Sequence, residues 1–462
     1  MSIRHCLMVL PLGASLAVRA NDWVRHGRTW RQEQAAIAAA ASGETPVPPK
    51  VSTPSYWEQG HLFGDWLGLG PAMRTNGVVL AGDFTTDLLG NPVGGLSQGF
   101  APATSLGLQL QWTPGELWTV PLPDTEFVTS MIWRTGENLS AEHIGNLFTV
   151  AQLYGGENLR LYEFLLRQYL FDRQLELQIG RQGAFDQFLA FPIFCNYVNN
   201  GTCGSPKGTY FSIPAFGQTV YPTSSWGAFA KWKGTDEPWY LQAGGYLLDS
   251  DNGANDTHGL NWTFDVDLGA AAMAQAGYMT HQAPGDPGLP GSYAIGGFYS
   301  EAGQPVFNEP GAVRSNGGGY LVLQQMLFRP DASAANLRRH RNLWGWGGQS
   351  GLTAFTVLVA TPDDSVSQFP FFMNGGLVYQ GLIPGRPEDF LAFGFNWGGT
   401  GTSWQQQQTA LDLPSPAREV VLEWNYRCSV TPFLYVQPDL QWVINPSLPS
   451  ALVVGAQLSV VF

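Results

Sequence analysis

Charged and amide side chains recur at alternate positions in several stretches of this chain, a spacing that puts them on one face of an extended strand. Glu163 and Arg167 share one such face, Glu176 and Gln178 the next, and Glu419, Glu423 and Arg427 a third near the end. Two kinds of chemistry suit these groups. A pair of carboxylates facing one cleft would serve glycoside hydrolysis. Mixed Arg and Glu along a wall would instead offer donors and acceptors to the vicinal hydroxyls of a neutral polyol. The catalytic use finds no support from histidine, because the seven residues of that type are scattered and form no metal-type pair on a helix. A hydrolase using Glu419 and Glu423 stays as the minor alternative to a polar wall that binds and releases solutes.

The elements that must hold these side chains are strands. In Val78 to Leu88 the apolar side carries Val78, Leu80, Phe84 and Leu88, opposite Asp83, Thr85 and Asp87, where the two aspartates also suit a water-exposed rim. Leu106, Leu108, Leu110 and Trp112 alternate with Gly107, Gln109 and Gln111; Val420, Leu422, Trp424 and Tyr426 alternate with Glu419, Glu423, Asn425 and Arg427. The same period runs through Phe433 to Ile444 and through Leu452 to Phe462, where the sequence ends on an aromatic residue. Weaker stretches, from Glu126 to Arg134 onward, bring the total to about 16 strands. The face opposite the apolar one holds Gln, Asn, Ser, Thr and Gly with few lysines, which suits a hydrated interior better than the surface of a sandwich.

Composition narrows the class further. Across 462 residues there are 17 Trp, 27 Phe, 16 Tyr and 56 Gly, while charged residues make up 13%. Few charges, Gly-rich turns and abundant aromatics fit an all-β, lipid-facing antiparallel barrel. No apolar run is long enough for a transmembrane helix, so any crossing must be made by a closed sheet. A formal charge of −13 argues against a nucleic-acid partner. Residues 1–20, with Arg4 and His5 before the apolar Cys6 to Val18 and small residues at Val18 and Ala20, read as a secretory signal. Residues 21–56 contain the alanine-rich run Gln32 to Ala41, a short helix, and then a Pro/Ser/Thr-rich linker. The barrel is expected over residues 57–462, with the Gly/Pro-rich stretch Asn252 to Pro290 forming a long extracellular connection.

Particular motifs carry a resemblance. His61-Leu62-Phe63-Gly64-Asp65-Trp66, Asn76-Gly77-Val78 and Asp87-Leu88-Leu89-Gly90-Asn91 resemble the opening of the carbohydrate-selective porin family of Gram-negative bacteria, the OprB type. Ile179-Gly180-Arg181, Phe191-Pro192, the loop Cys195 to Gly204 and the segment Glu423 to Pro446 are similar to its later blocks. The resemblance implies a 16-stranded outer-membrane barrel passing monosaccharides such as glucose down their gradient, with no cofactor, no metal and a homotrimer as one possible assembly. A general or differently selective porin is the main alternative. Arg181 joins the candidate wall through its motif; alternation puts it on the lipid side, so a bulge at Gly180 would be needed to turn it inward. Leu67 stands where the family usually has glycine, and Gly70-Pro71 where it has a basic residue. Cys195 and Cys203 enclose an Asn/Gly-rich loop in an oxidising setting, so a disulfide is expected, with two free thiols as the alternative. No second ligand pair accompanies them, which argues against zinc.

Overall fold

Alternation of apolar and polar residues needs a partner strand on each side, and the chain meets that need by pairing every strand with its sequence neighbours. The computed structural model describes residues 61–462 apart from 65, 115–123, 205–206, 235–236, 283–284, 334–335, 337–348 and 446. The strands are β1 (Val78–Val93), β2 (Phe100–Trp112), β3 (Thr125–Gly136), β4 (Asn158–Leu170), β5 (Leu175–Gln182), β6 (Ser225–Lys233), β7 (Trp239–Leu247) and β8 (Ala270–Thr280). They continue as β9 (Gly291–Pro305), β10 (Val313–Phe328), β11 (Gly351–Ala360), β12 (Phe371–Gln380), β13 (Phe390–Gly399), β14 (Arg418–Thr431), β15 (Leu434–Ile444) and β16 (Ala451–Val461). All pairings are antiparallel, and β16 returns to β1 to close the barrel. The expected signal segment and the helix at Gln32 to Ala41 lie outside the described residues.

Closure leaves no free sheet edge. The seam runs in register from Asp83↔Val461 to Leu89↔Gly455. At its end the backbones of Gly82 and Phe462 exchange hydrogen bonds, each 3.0 Å. The Phe462 ring lies so close over Gly82 that a Cβ there would stand 2.5 Å from it, so any larger residue would have to displace the ring. Phe63 and Trp66 complete an aromatic cluster around this ring, at 5.5 and 6.5 Å between centroids. Beside it sits a short helix, α1 (Gly70–Thr75), which Pro71 opens from a permitted first-turn position.

The outer wall carries exposed Leu88, Leu108, Leu166, Ile179, Trp424, Trp442 and Val454, the side that alternation assigns to lipid. The inside is not uniformly wet. The loops 137–157 and 183–224 fold into the barrel, and their Phe148, Phe185, Phe188, Phe194, Tyr197 and Phe216 join one core with Phe229, Phe298, Phe355 and Phe372 of the wall. The buried acidic residues and arginines of the wall lie on β1, β3–β5, β14 and β15, while Gln242, Gln275, Gln324, Asn374 and Asn396 add amides on the other side. The stretch Asn252 to Pro290 is not one connection, because β8 divides it into loops at opposite ends of the barrel.

Candidate functional site: the inner wall and its loops

Arg167 is the centre of the polar wall. Its guanidinium lies 3.2 Å from Glu126 and 3.3 Å from Glu176, with both ion pairs turned away from lipid. Gln178 donates to Glu176 at 2.6 Å and accepts from Gln187 of the inward loop at 3.1 Å. Glu163 accepts 2.8 Å bonds from Gln109 on β2 and Ser130 on β3. The four residues that alternation picks on β4 and β5 therefore belong to two neighbouring hydrogen-bonded clusters on β2–β5, Glu163 with Gln109 and Ser130, and Arg167 with Glu126, Glu176 and Gln178.

A second group on this wall comes from residues the sequence reading passed over. Arg134 stacks over the Tyr221 ring at 4.5 Å, Tyr221 meets Tyr162 edge-on at 4.9 Å, and the Tyr162 hydroxyl donates to Asp186 at 2.5 Å. Burial, and then the nearby Glu163, holds the Asp186 carboxyl well above the usual carboxylate range. Arg134 shares the parity of Glu126 and was within reach of the alternation rule. Tyr162 was not, because the β3–β4 register shifts between Ser130 and Met131 and leaves Tyr162 as an extra residue.

The bulge foreseen at Gly180 is absent. Pairing runs unbroken through Ile179↔Ala228, Gly180↔Gly227 and Arg181↔Trp226, so Arg181 stays on the outer face with Trp226 and Phe164. Gly180 is required for another reason: its φ is +137° and a Cβ would stand 2.3 Å from the Phe164 carbonyl. Arg181 is nonetheless almost wholly buried, because the β7–β8 loop folds over it as a strap. It donates to Asn261 O at 2.5 Å and Ser224 O at 2.9 Å. Trp262 of the strap packs on Phe164 and Trp226, and the amide of Leu161 donates to His258 O at 2.9 Å. The strap thus covers the upper part of β4, where short β5 gives no partner. Arg181 is a strap anchor and not a lining residue.

Glu419, Glu423 and Arg427 face inward, are buried like Arg167, Glu126 and Glu163, and hold loops. Glu419 accepts from the amides of Leu147 at 2.8 Å and Phe148 at 2.7 Å. Glu423 accepts from Val198 at 2.6 Å and Asn199 at 3.1 Å. Bonds to a charged acceptor are each worth roughly 1.5–3 kcal/mol, so these are major fixings. Arg427 stacks over Tyr435 at 3.8 Å and donates to Gln437 at 2.8 Å and to Cys195 O at 3.3 Å. Asp87 is equally far from a rim: it is fully buried and accepts from Gln457 at 2.8 Å.

Cys195 and Cys203 are free thiols in this structure, side by side and hydrogen-bonded, which corrects the expected disulfide. That contact, followed by burial, pushes the Cys203 thiol well above its ordinary pKa. The loop they enclose is held closed by other means, with Glu423 on two of its amides and Thr202 donating to Asn396 at 2.8 Å. One Gly-x-Ser-x-Gly spacing also occurs, at Gly95 to Gly99. It sits in the tight connection between β1 and β2, where Ser97 meets His143 Nδ1 at 2.9 Å on an exposed rim. A nucleophile elbow needs a strand-to-helix turn, which is missing here. Glu419 and Glu423 are four residues apart on a strand, about 13 Å, wider than glycosidase carboxylate pairs.

The model of the carbohydrate-selective porin, OprB family, matches residues 97–462. The chain belongs to that family. It is 24% identical over 445 residues to Porin B of Pseudomonas aeruginosa, covering 87% of this chain and 91% of the relative. It is also 23% identical to the putative porin QuiX of Acinetobacter baylyi, over 85% of this chain and 90% of that one. The high-pH structure of Pseudomonas putida OprB superposes with a TM-score of 0.77 at 23% identity, covering 88% of this chain and all of that one. This OprB-family chain is accordingly an outer-membrane channel of the carbohydrate-selective kind in a Gram-negative bacterium.

Proposed function

We propose that the chain passes monosaccharides, glucose and related sugars, by passive diffusion along the polar stripe of β2–β5. The observation that carries this reading is Arg167 set between Glu126 and Glu176, with Gln178, Gln109 and Glu163 extending the pattern. A sugar in water has every hydroxyl satisfied, so a narrow channel favours it only by replacing several of those bonds while holding it weakly. Guanidinium and carboxylates side by side can donate to and accept from neighbouring hydroxyls. The apolar bulk of the inward loops narrows the path against this stripe and so favours small sugars over larger ones.

Liposome swelling with the refolded protein tests the proposal, comparing glucose, a disaccharide and an amino acid of glucose-like size. Glucose is expected to enter faster than both. Arg167→Ala should cut the glucose to amino-acid ratio by about fivefold, the equivalent of one net hydrogen bond near 1 kcal/mol. Equal rates for glucose and the amino acid would mark a general porin, and no swelling would count against an open channel.

A further inference from the structure

We infer that Glu419 and Glu423 are positioning residues that set the width of the channel, each by clamping two consecutive backbone amides of a different inward loop. Both project inward from β14 and both are essentially excluded from solvent. Glu419 holds Leu147 and Phe148 of the β3–β4 loop; Glu423 holds Val198 and Asn199 of the β5–β6 loop. Successive amides pointing the same way form a concavity that prefers an anion with two acceptor oxygens. Asn445 steadies the first carboxylate with a 3.1 Å bond, and Asn425 the second with a 3.0 Å bond.

The two loops are also tied to each other. Gln152 N donates to Val198 O and Asn200 N to Thr149 O, both at 2.9 Å, so the clamped segments form a single inward body. One strand therefore fixes two loops that begin far apart in the chain. This inference rests on the channel reading but not on which solute passes, since the cross-section governs ions as well as sugars.

The ionic form is what the clamps need. A protonated carboxyl turns one acceptor oxygen into a donor, and a glutamine replaces one oxygen with an NH2 group that faces an amide N–H. Either change takes one of the two Glu423 oxygens, which hold one amide each, and one of the two that Leu147 shares on Glu419, where Oε1 also holds Phe148, so both clamps weaken. The titratable groups facing Glu423 are Asp439 on β15, Asp87 on β1, and Tyr197 and Cys203 of the loop; Glu419 faces the neutral Asn146 and Asn445. Acidification should therefore loosen both clamps and widen the path.

Single-channel conductance in potassium chloride, measured on the full chain across a pH series, tests this. The wild type should conduct more as the pH falls. E419Q/E423Q should start at neutral pH with roughly twofold higher conductance and lose most of the pH dependence. A folded double variant with wild-type conductance and an unchanged pH profile would overturn the inference. Should the variant not fold, hydrogen exchange of the wild type decides: the peptides containing Leu147–Phe148 and Val198–Asn199 should lose protection on acidification, after correction for intrinsic rates. Unchanged protection there would overturn the clamps. A glucose preference that fails while the conductance prediction holds would sink the sugar reading and leave the clamps standing.

Discussion

At the scale of single residues, the same side chain type does different work according to what faces it. Arg167 meets two carboxylates across the wall, Arg427 stacks on Tyr435 and holds a loop carbonyl, and Arg181 pins a strap outside the barrel. Leu67 is a case where the chain departs from what its backbone prefers. It has φ 58° and ψ 30° and is 88% exposed, so its side chain packs against little of the protein while its conformation suits glycine. Leu67→Gly should thus stabilise the folded protein by about 0.5–1 kcal/mol, because left-handed backbone costs an L-residue about 1–2 kcal/mol and glycine's looser unfolded chain takes back part of that. Thermal unfolding of the two proteins in the same detergent checks it, and a lower midpoint for the variant would refute the account.

At the scale of elements, alternation locates most strands, β8 only loosely as a stretch near Asp265 to Tyr278, and places Glu163, Arg167, Glu176 and Gln178 inward, because the pleat alone sets which face a residue takes. It fails where an element departs from the pleat or leaves the sheet. Tyr162 is hidden by the extra residue in β4, and the burial of Arg181 depends on a loop that crosses the wall outside. The clamping role of Glu419 and Glu423 is silent for another reason: their partners are backbone amides 272 and 225 positions away, and no side-chain type marks an amide. The strap makes its own prediction. Arg181→Ala removes its hold on Asn261, so limited proteolysis should cut within 248–269 faster than in the wild type, with glucose flux unchanged. A flux that falls with strap cleavage unaltered would return Arg181 to the channel wall.

At the scale of the whole molecule, the barrel is stabilised by the seam that joins its two ends. Phe462 closes over Gly82 and meets Phe63 and Trp66, so the last residue touches the first described segment and the first strand together. Phe462→Ala should lower stability by about 1–3 kcal/mol, given two aromatic contacts near 0.5–1.5 kcal/mol each. The shift of the folded band on unheated gels to lower melting temperature would report it; an unchanged temperature would assign the seam's strength to its backbone ladder alone.

The position of the clamps along the chain also orders events in time. The inward loops come from the first half of the sequence, but the glutamates that fix them arrive with β14, and the seam with β16. During assembly the loops have no anchor on that side until the closing strands are in place. Contacts this distant in sequence are slow to form, so the same final strands that seal the barrel also hold the loops that narrow its interior.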